Sequence, residues 1–94
     1  MAASVGVTAP LGDLTAASFA PHTGTVFTVD GQDLVLEAVE APNGSAVRPF
    51  SLLFSGSPES TLDQQTHLLR HAALGELAVF LVPLRAGHYE AVFG

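Results

Sequence analysis

Hydrophobic and polar residues alternate along most of the chain, and short turn signals separate the alternating stretches. The clearest case is FSLLFS at residues 50–55, where every second residue is phenylalanine or leucine. A period of two residues is that of a β-strand with one face in a hydrophobic core. Stretches of similar character predict five further strands, at residues 25–29, 34–39, 67–71, 77–84 and 88–93.

The connections between these stretches are short and carry turn residues. Asp30-Gly31 supplies the pair that accepts positive φ in a tight hairpin, and PNGS at residues 42–45 and RAG at residues 85–87 are further turn signals. Such connections leave no room for crossover helices, so we expect the strands to pair antiparallel. The sequence therefore predicts an all-β fold, a small antiparallel barrel or sandwich of about six strands.

The start of the chain differs from the rest. Residues 1–12 are predicted to be a loose N-terminal segment, and residues 13–94 a single β domain. Asp13 or Thr15 is placed to cap one short helical turn over residues 16–19, and Pro21 disfavours its extension. We expect no other helix.

His67 and His71 raise the question of a metal site. On a helix, side chains four residues apart lie on one face about 6 Å apart and can share an ion. On a strand they are roughly 13 Å apart, too far for two metal–nitrogen bonds of about 2 Å. Ser60 or Thr61 would cap a helix here, but the alternation with the residues between the histidines favours a strand. We therefore expect two polar or half-buried side chains that share no metal.

Residues 77–84 are apolar at odd and even positions alike. Such a run is typical of a central strand that is covered on both faces. The second cover would be the N-terminal turn, the far wall of a small barrel, or another subunit. Pro83 cannot donate a backbone hydrogen bond, so the strand should end, bulge or lie at an edge there.

The amino-acid composition and the net charge indicate which classes of partner the chain binds. Hydrophobic residues make up 48% of the chain and charged residues only 13%. With so few charges some apolar surface stays accessible, which predicts a protein partner or a homo-oligomer. Nine acids stand against three arginines and no lysine, a formal charge of −6. This balance argues against nucleic acid and against anionic membrane surfaces.

The sequence contains no clear set of residues that would act together in catalysis. The chain has no cysteine, its acids are scattered, and SGSP at residues 55–58 lacks the glycines of a nucleophile elbow. We expect no enzyme activity, no catalytic residue and no cofactor or metal; Arg48, His67 and His71 are the candidate binding residues. Without a signal-peptide pattern or a long apolar run, a cytoplasmic location is expected.

Several motifs carry a resemblance, and they span nearly the whole chain. They are LTAASFAPHTG at 14–24, RPFSLLFSG at 48–56, HAALG at 71–75, FLVP at 80–83 and YEAVF at 89–93. The chain resembles a small uncharacterised bacterial family of single domains of about this length, some of whose members are encoded near phage-tail-collar-like proteins. The family has no assigned activity, so the resemblance implies no functional residue.

These observations favour a non-catalytic structural or interaction module, associated with a phage-tail-like or other multi-protein assembly. The alternative is a small β-barrel that binds an apolar small molecule among Phe50, Phe54, Phe80 and Phe93.

Overall fold

A computed structural model of the protein describes residues 14–41 and 49–93. These residues form a closed barrel of antiparallel strands in the order β1-β2-β3-β6-β5-β4. The strands are β1 (Val26–Val29), β2 (Gln32–Glu40), β3 (Phe50–Ser55), β4 (Gln65–His71), β5 (Gly75–Arg85) and β6 (His88–Phe93). The all-β, antiparallel prediction is confirmed, and the architecture is a barrel rather than a sandwich.

The predicted helical turn is present as α1 (Ala16–Phe19), followed by a 3₁₀ turn (Ala20–His22). Thr15 is its N-cap, and the backbone N–H of Thr15 donates to Oγ of Ser18 at 3.0 Å. Asp13, the other predicted cap, lies outside the described residues. Phe19 is fully buried, and its ring centroid lies 5.9 Å from that of Phe50 and 5.5 Å from that of Phe93. The turn therefore packs on one end of the barrel.

Turn chemistry sets the hairpins, as the sequence indicates. Asp30 and Gly31 both have positive φ, 50° and 75°, and join β1 to β2 in two residues. This is the backbone that a two-residue hairpin needs in order to match the twist of its strands. The predicted turn at residues 42–45 lies outside the described residues.

Residues 56–64 cross the other end of the barrel and connect β3 to β4. The hydroxyl of Tyr89 lies 2.8 Å from Oγ of Ser60 and accepts the backbone N–H of Leu62 at 3.0 Å. Leu62 itself is 5% exposed and belongs to the core. This segment therefore closes the end opposite α1.

Aromatic side chains fill the interior. The rings of Phe50 and Phe93 stack with centroids 4.7 Å apart, and those of Phe27 and Phe54 meet edge to face at 5.3 Å. Each of these four residues is at most 5% exposed. Three of the four phenylalanines considered for an apolar ligand therefore pack into the core, whereas Phe80 lies outside it, 49% exposed.

Within one copy of the chain, the described residues cover β5 on one face only. Leu77, Val79 and Leu81 point inward and are at most 2% exposed, but Phe80 on the outer face is 49% exposed. A barrel wall has one inner side, and its neighbouring strands lie at its edges rather than over its outer face. The far wall and α1 thus leave this face open, and the third cover considered, another subunit, stays a prediction.

Pro83 marks a bulge, as predicted. The register between β5 and β6 shifts between Pro83 and Arg85. Strict alternation would turn Arg85 inward with Leu81, but the extra residue places it opposite His88 on the outer surface.

The barrel closes where β1 meets β4, and this seam is narrow. Thr28 and Arg70 are its one strand pair among the described residues. By contrast β4 pairs with β5 over seven residues and β3 with β6 over six. The closure of the barrel thus depends on little backbone pairing.

Candidate interaction face

The outer surface of β4, β5 and β6 carries a band of apolar side chains, here called the apolar face. It consists of Leu68, Ala78, Phe80, Val82 and Val92. Leu68, Phe80 and Val92 are 43%, 49% and 59% exposed, and the other two are half-buried. Each of three adjacent strands thus presents a large apolar group to the outside.

Strand register brings these side chains together. Leu68 lies opposite Ala78 and therefore diagonal to Phe80. Val82 on β5 pairs with Glu90 on β6. Because the two strands run antiparallel, Val92, two residues after Glu90, lies on the same side of Val82 as Phe80. Neighbours of this kind on one face of a sheet are about 5 to 8 Å apart, so their apolar surfaces adjoin.

The other three strands have a more polar exterior. Their outward Val35 and Leu53 are half-buried, and Val26 on β1, 47% exposed, is their one large exposed apolar residue among the described residues. On β2 the exposed residues include Asp33 and Glu37, and on β3 Ser51 and Ser55 alternate with the core residues. An antiparallel strand with one face in solvent normally alternates in this way. The exterior of β4 to β6 departs from this rule, and a contiguous exposed apolar patch of this kind is the feature to be explained.

Charge is distributed unevenly around the barrel. Six of the described acids lie on the β1–β2 turn, on β2 and on the segment before β4: Asp30, Asp33, Glu37, Glu40, Glu59 and Asp63. The strands of the apolar face carry two acids and both described arginines: Glu76, Glu90, Arg70 and Arg85. The apolar face is therefore close to neutral, while the rest of the described surface is acidic.

The charges on β5 lie at its two ends. At one end Nε of Arg70 lies 3.0 Å from a carboxylate oxygen of Glu76, which holds that acid beside the apolar face. At the other end Arg85, turned outward by the bulge, forms no ion pair within the described residues. A cleft of about 360 Å³ adjoins it, lined by Glu37, Leu53, Phe54, Ser55, Leu84, Arg85, His88 and Tyr89.

His67 is a buried residue with a partner at each ring nitrogen. Nδ1 lies 3.2 Å from Oδ2 of Asp30, and Nε2 lies 2.8 Å from the carbonyl oxygen of Asp63. The side chain is 4% exposed. His67 therefore joins the β1–β2 turn to the segment before β4.

His71 is held as a neutral ring by its hydrogen bonds. Nδ1 accepts the backbone N–H groups of Ala73 and Leu74 at 3.0 and 3.1 Å, so this nitrogen carries no proton. Nε2 then carries the hydrogen and donates to Oγ1 of Thr25 at 2.8 Å, and the Thr25 hydroxyl donates to the carbonyl of His22 at 2.5 Å. Burial, and second the nearby His22 ring at a centroid distance of 4.7 Å, lower the pKa of His71.

The Thr25–His71 pair does not have the geometry of a nucleophile and its base. A base would offer the Nε2 lone pair to the threonine hydroxyl, whereas here Nε2 donates its hydrogen. The pair instead contributes to the seam. His71 contacts the residue before β1 and His67 the residue after it, so the two histidines flank the single strand pair of the seam.

The structure keeps two of the three sequence-predicted binding residues apart from each other. His67 and His71 lie on one strand, as predicted, and each has its own partners. Within residues 14–41 and 49–93 no three potential metal ligands cluster. Arg48 lies outside the described residues.

The sequence places Ala78, Phe80 and Val82 on one face of the predicted strand at residues 77–84, but it does not indicate that this face turns outward beside Leu68 and Val92. A signal was present, since residues 77–84 are apolar on both sides and a closed barrel has only one interior. The outward position of Arg85 follows from the bulge. Pro83 predicts that the strand ends, bulges or lies at an edge, and this does not determine which face Arg85 takes.

These features define a small, closed, six-stranded antiparallel barrel with an apolar outer face. Over the described residues no helix is long and apolar enough to cross a membrane. The family model "Domain of unknown function (DUF6916)" matches residues 14–93, and the chain belongs to this family. No curated protein and no solved structure matches the chain.

Proposed function

We propose that this barrel is a non-catalytic interaction module that binds a protein partner through the apolar face. The observation that carries the proposal is the exposure of Leu68, Phe80 and Val92 on three adjacent strands. Burying such side chains removes apolar area from water at roughly 25 cal/mol per Å², a gain that only a bound partner realises.

We propose that the barrel acts within a multi-protein assembly that resembles a phage tail. Its support is the resemblance of the chain to a bacterial family with members encoded near phage-tail-collar-like proteins. The acidic remainder of the surface fits this role, because like charges disfavour contacts at any other face.

A pull-down comparison tests the proposal. Tagged wild-type chain and a Phe80→Ser variant are each incubated with host extract, and the retained proteins are identified by mass spectrometry and then purified for binding to the chain. We expect a defined partner whose affinity falls at least about tenfold in the variant. Val35→Ser, on β2 across the barrel, is the matched control and should retain the partner. Equal retention by Phe80→Ser, or no specific partner, a second copy of the chain included, would contradict the proposal.

The alternative function, binding of an apolar small molecule, has weaker support. It needs space among Phe50, Phe54 and Phe93, whose rings are packed at most 5% exposed. Native mass spectrometry of the purified chain tests it, since a retained ligand would add a fixed mass.

A further inference from the structure

We propose that a second copy of this chain is the partner that covers the apolar face, in a symmetric dimer whose two-fold axis passes near Phe80. This inference rests on the proposed function, that the face is a protein-binding surface. In such a dimer the same surface of both copies takes part, so the surface must complement itself.

Charge complementarity is the first argument. Glu76 lies four residues before Phe80 on β5, and Arg85 lies five after it, but the bulge adds one residue to that side. Both charges are therefore about four strand positions, roughly 13 Å, from Phe80 in opposite directions. A two-fold axis that lies in the plane of the interface, near Phe80 and perpendicular to β5, reverses the strand, so Glu76 of each copy meets Arg85 of the other.

The ion pairing of Glu76 and Arg85 within one copy agrees with this arrangement. Glu76 is held on the outer surface by Arg70, and Arg85 has no ion-pair partner within the described residues. Arg85 shares its cleft with Glu37 but forms no ion pair there, and a second copy supplies Glu76 as a partner. Such pairs at the rim of an interface fix its register more than they add affinity.

The distribution of charge favours this face for self-association. A chain with a formal charge of −6 repels its own copies over most of its surface. The described strands of the apolar face carry two acids and two arginines, so two such faces approach without net repulsion. The acidic walls then point away from each other.

The area available suits a reversible dimer. Small specific interfaces bury about 1,200 Å² in total, roughly 600 Å² per copy. That is about an eighth of the 4976 Å² surface, and the apolar face spans three of the six walls. We therefore expect association that depends on protein concentration.

Analytical ultracentrifugation of the purified chain over concentrations up to about 1 mM is the first test. Wild type should pass from monomer to dimer, and Phe80→Ser should raise the dissociation constant at least about tenfold. Leu68→Ser is a second variant of the same face, and Val35→Ser is the control with unchanged association. Far-UV circular dichroism checks that each variant is folded.

A charge exchange tests the register. Arg85→Glu and Glu76→Arg should each weaken self-association, because each variant places like charges together twice. Mixed together, the two variants should form a heterodimer, which native mass spectrometry resolves by mass. Glu76→Arg also breaks the ion pair with Arg70, so Arg70→Gln reports that contribution alone.

The outcomes separate this inference from the proposed function. A chain that stays monomeric at every concentration, a dimer that Phe80→Ser leaves intact, or variants that do not recover on mixing would overturn the symmetric dimer. Phe80-dependent binding of a different protein by a monomeric chain would overturn it too, while the proposed function stands. Absence of both kinds of binding would overturn both.

Discussion

The ring of His71 couples the stability of the barrel to pH. Two backbone N–H groups donate to Nδ1, so protonation of this nitrogen breaks both hydrogen bonds. Burial, together with the neighbouring His22, lowers the pKa of His71 in the folded protein from its ordinary value of 6.5. The fold therefore selects the neutral ring.

The pH dependence follows with a definite sign. As the pH falls below 6.5, the unfolded chain takes up a proton at His71 that the folded chain does not. The free energy of unfolding should therefore fall from pH 6.5 down to the lowered pKa of the folded state, and the contribution is fully present above 6.5. Urea unfolding at several pH values measures this, and His71→Gln should show a flatter profile across that window. An identical slope in the variant would refute this role for His71.

Tyr89 offers a second prediction for a single side chain. Its hydroxyl accepts the buried N–H of Leu62, and Tyr89→Phe leaves that donor without a partner. An unsatisfied buried donor costs about 1 to 3 kcal/mol, so the variant should lose that much unfolding free energy in urea. Ser60→Ala removes the other contact of the hydroxyl and keeps the one to Leu62, and it should cost less. A larger loss in Ser60→Ala would contradict this account.

At the scale of elements, the turn between β5 and β6 depends on Gly87. Its φ is +75°, and a Cβ atom there would lie 2.7 Å from the carbonyl oxygen of Ser57. Gly24 also has positive φ, +87°, but has nothing within 4 Å. Gly24→Ala should therefore cost about 1 to 2 kcal/mol of backbone strain. Gly87→Ala should cost about 1 to 3 kcal/mol more because of the clash, as measured by chemical denaturation. Equal losses would show that residues 56–57 move away freely.

The two faces of β5 should respond differently to truncation. Leu81 is fully buried, and Leu81→Ala should cost about 2 to 5 kcal/mol of unfolding free energy. Phe80 is 49% exposed, so Phe80→Ala should cost less than about 1 kcal/mol in dilute solution. Thermal and urea unfolding at low protein concentration measure both. A large loss for Phe80→Ala would mean that Phe80 supports the fold itself.

Elements with one buried face could be predicted well from the sequence. β3 and β6 have the predicted bounds, and β4 is extended as the alternation around its histidines indicated. Local periodicity determines such strands because the core imposes it directly. β5 shows the limit: its sequence does not say which of two apolar faces turns inward, since that depends on how the sheet closes.

The candidate site was less accessible to prediction than the fold. The contact of His71 with Thr25 joins residues 46 positions apart, and that of His67 with Asp30 joins residues 37 apart. No local pattern encodes such pairs. The apolar face likewise combines three strands whose order became known only from the closed barrel.

At the scale of the whole molecule, the described part of the barrel has one neutral, apolar side and one acidic side. The acidic side repels other copies of the chain, whereas the described strands of the apolar side carry no net charge that would do so. Under the proposed function, the net charge that opposes aggregation directs contact to the apolar face.

The seam between β1 and β4 should be the first part of the barrel to exchange its amide hydrogens. It has one strand pair within the described residues, whereas β3 and β6 share six. Hydrogen exchange followed by NMR should show β1 amides exchanging before those of β3, and a His67→Leu, His71→Leu double variant should accelerate β1 most. Uniform protection of β1 and β3 would contradict this expectation.

The narrow seam also has a consequence for the order of folding. The β1–β2 hairpin is local, whereas β3–β6 and the seam both pair residues roughly 40 positions apart, at an entropic cost that local contacts do not bear. Six strand pairs offset this cost between β3 and β6, but one pair does so at the seam within the described residues. An open, curved sheet should therefore form first, and joining its edges should be the slowest step. In that step His67 and His71 should form their contacts on either side of the Thr28–Arg70 strand pair, which should be the last pair to form.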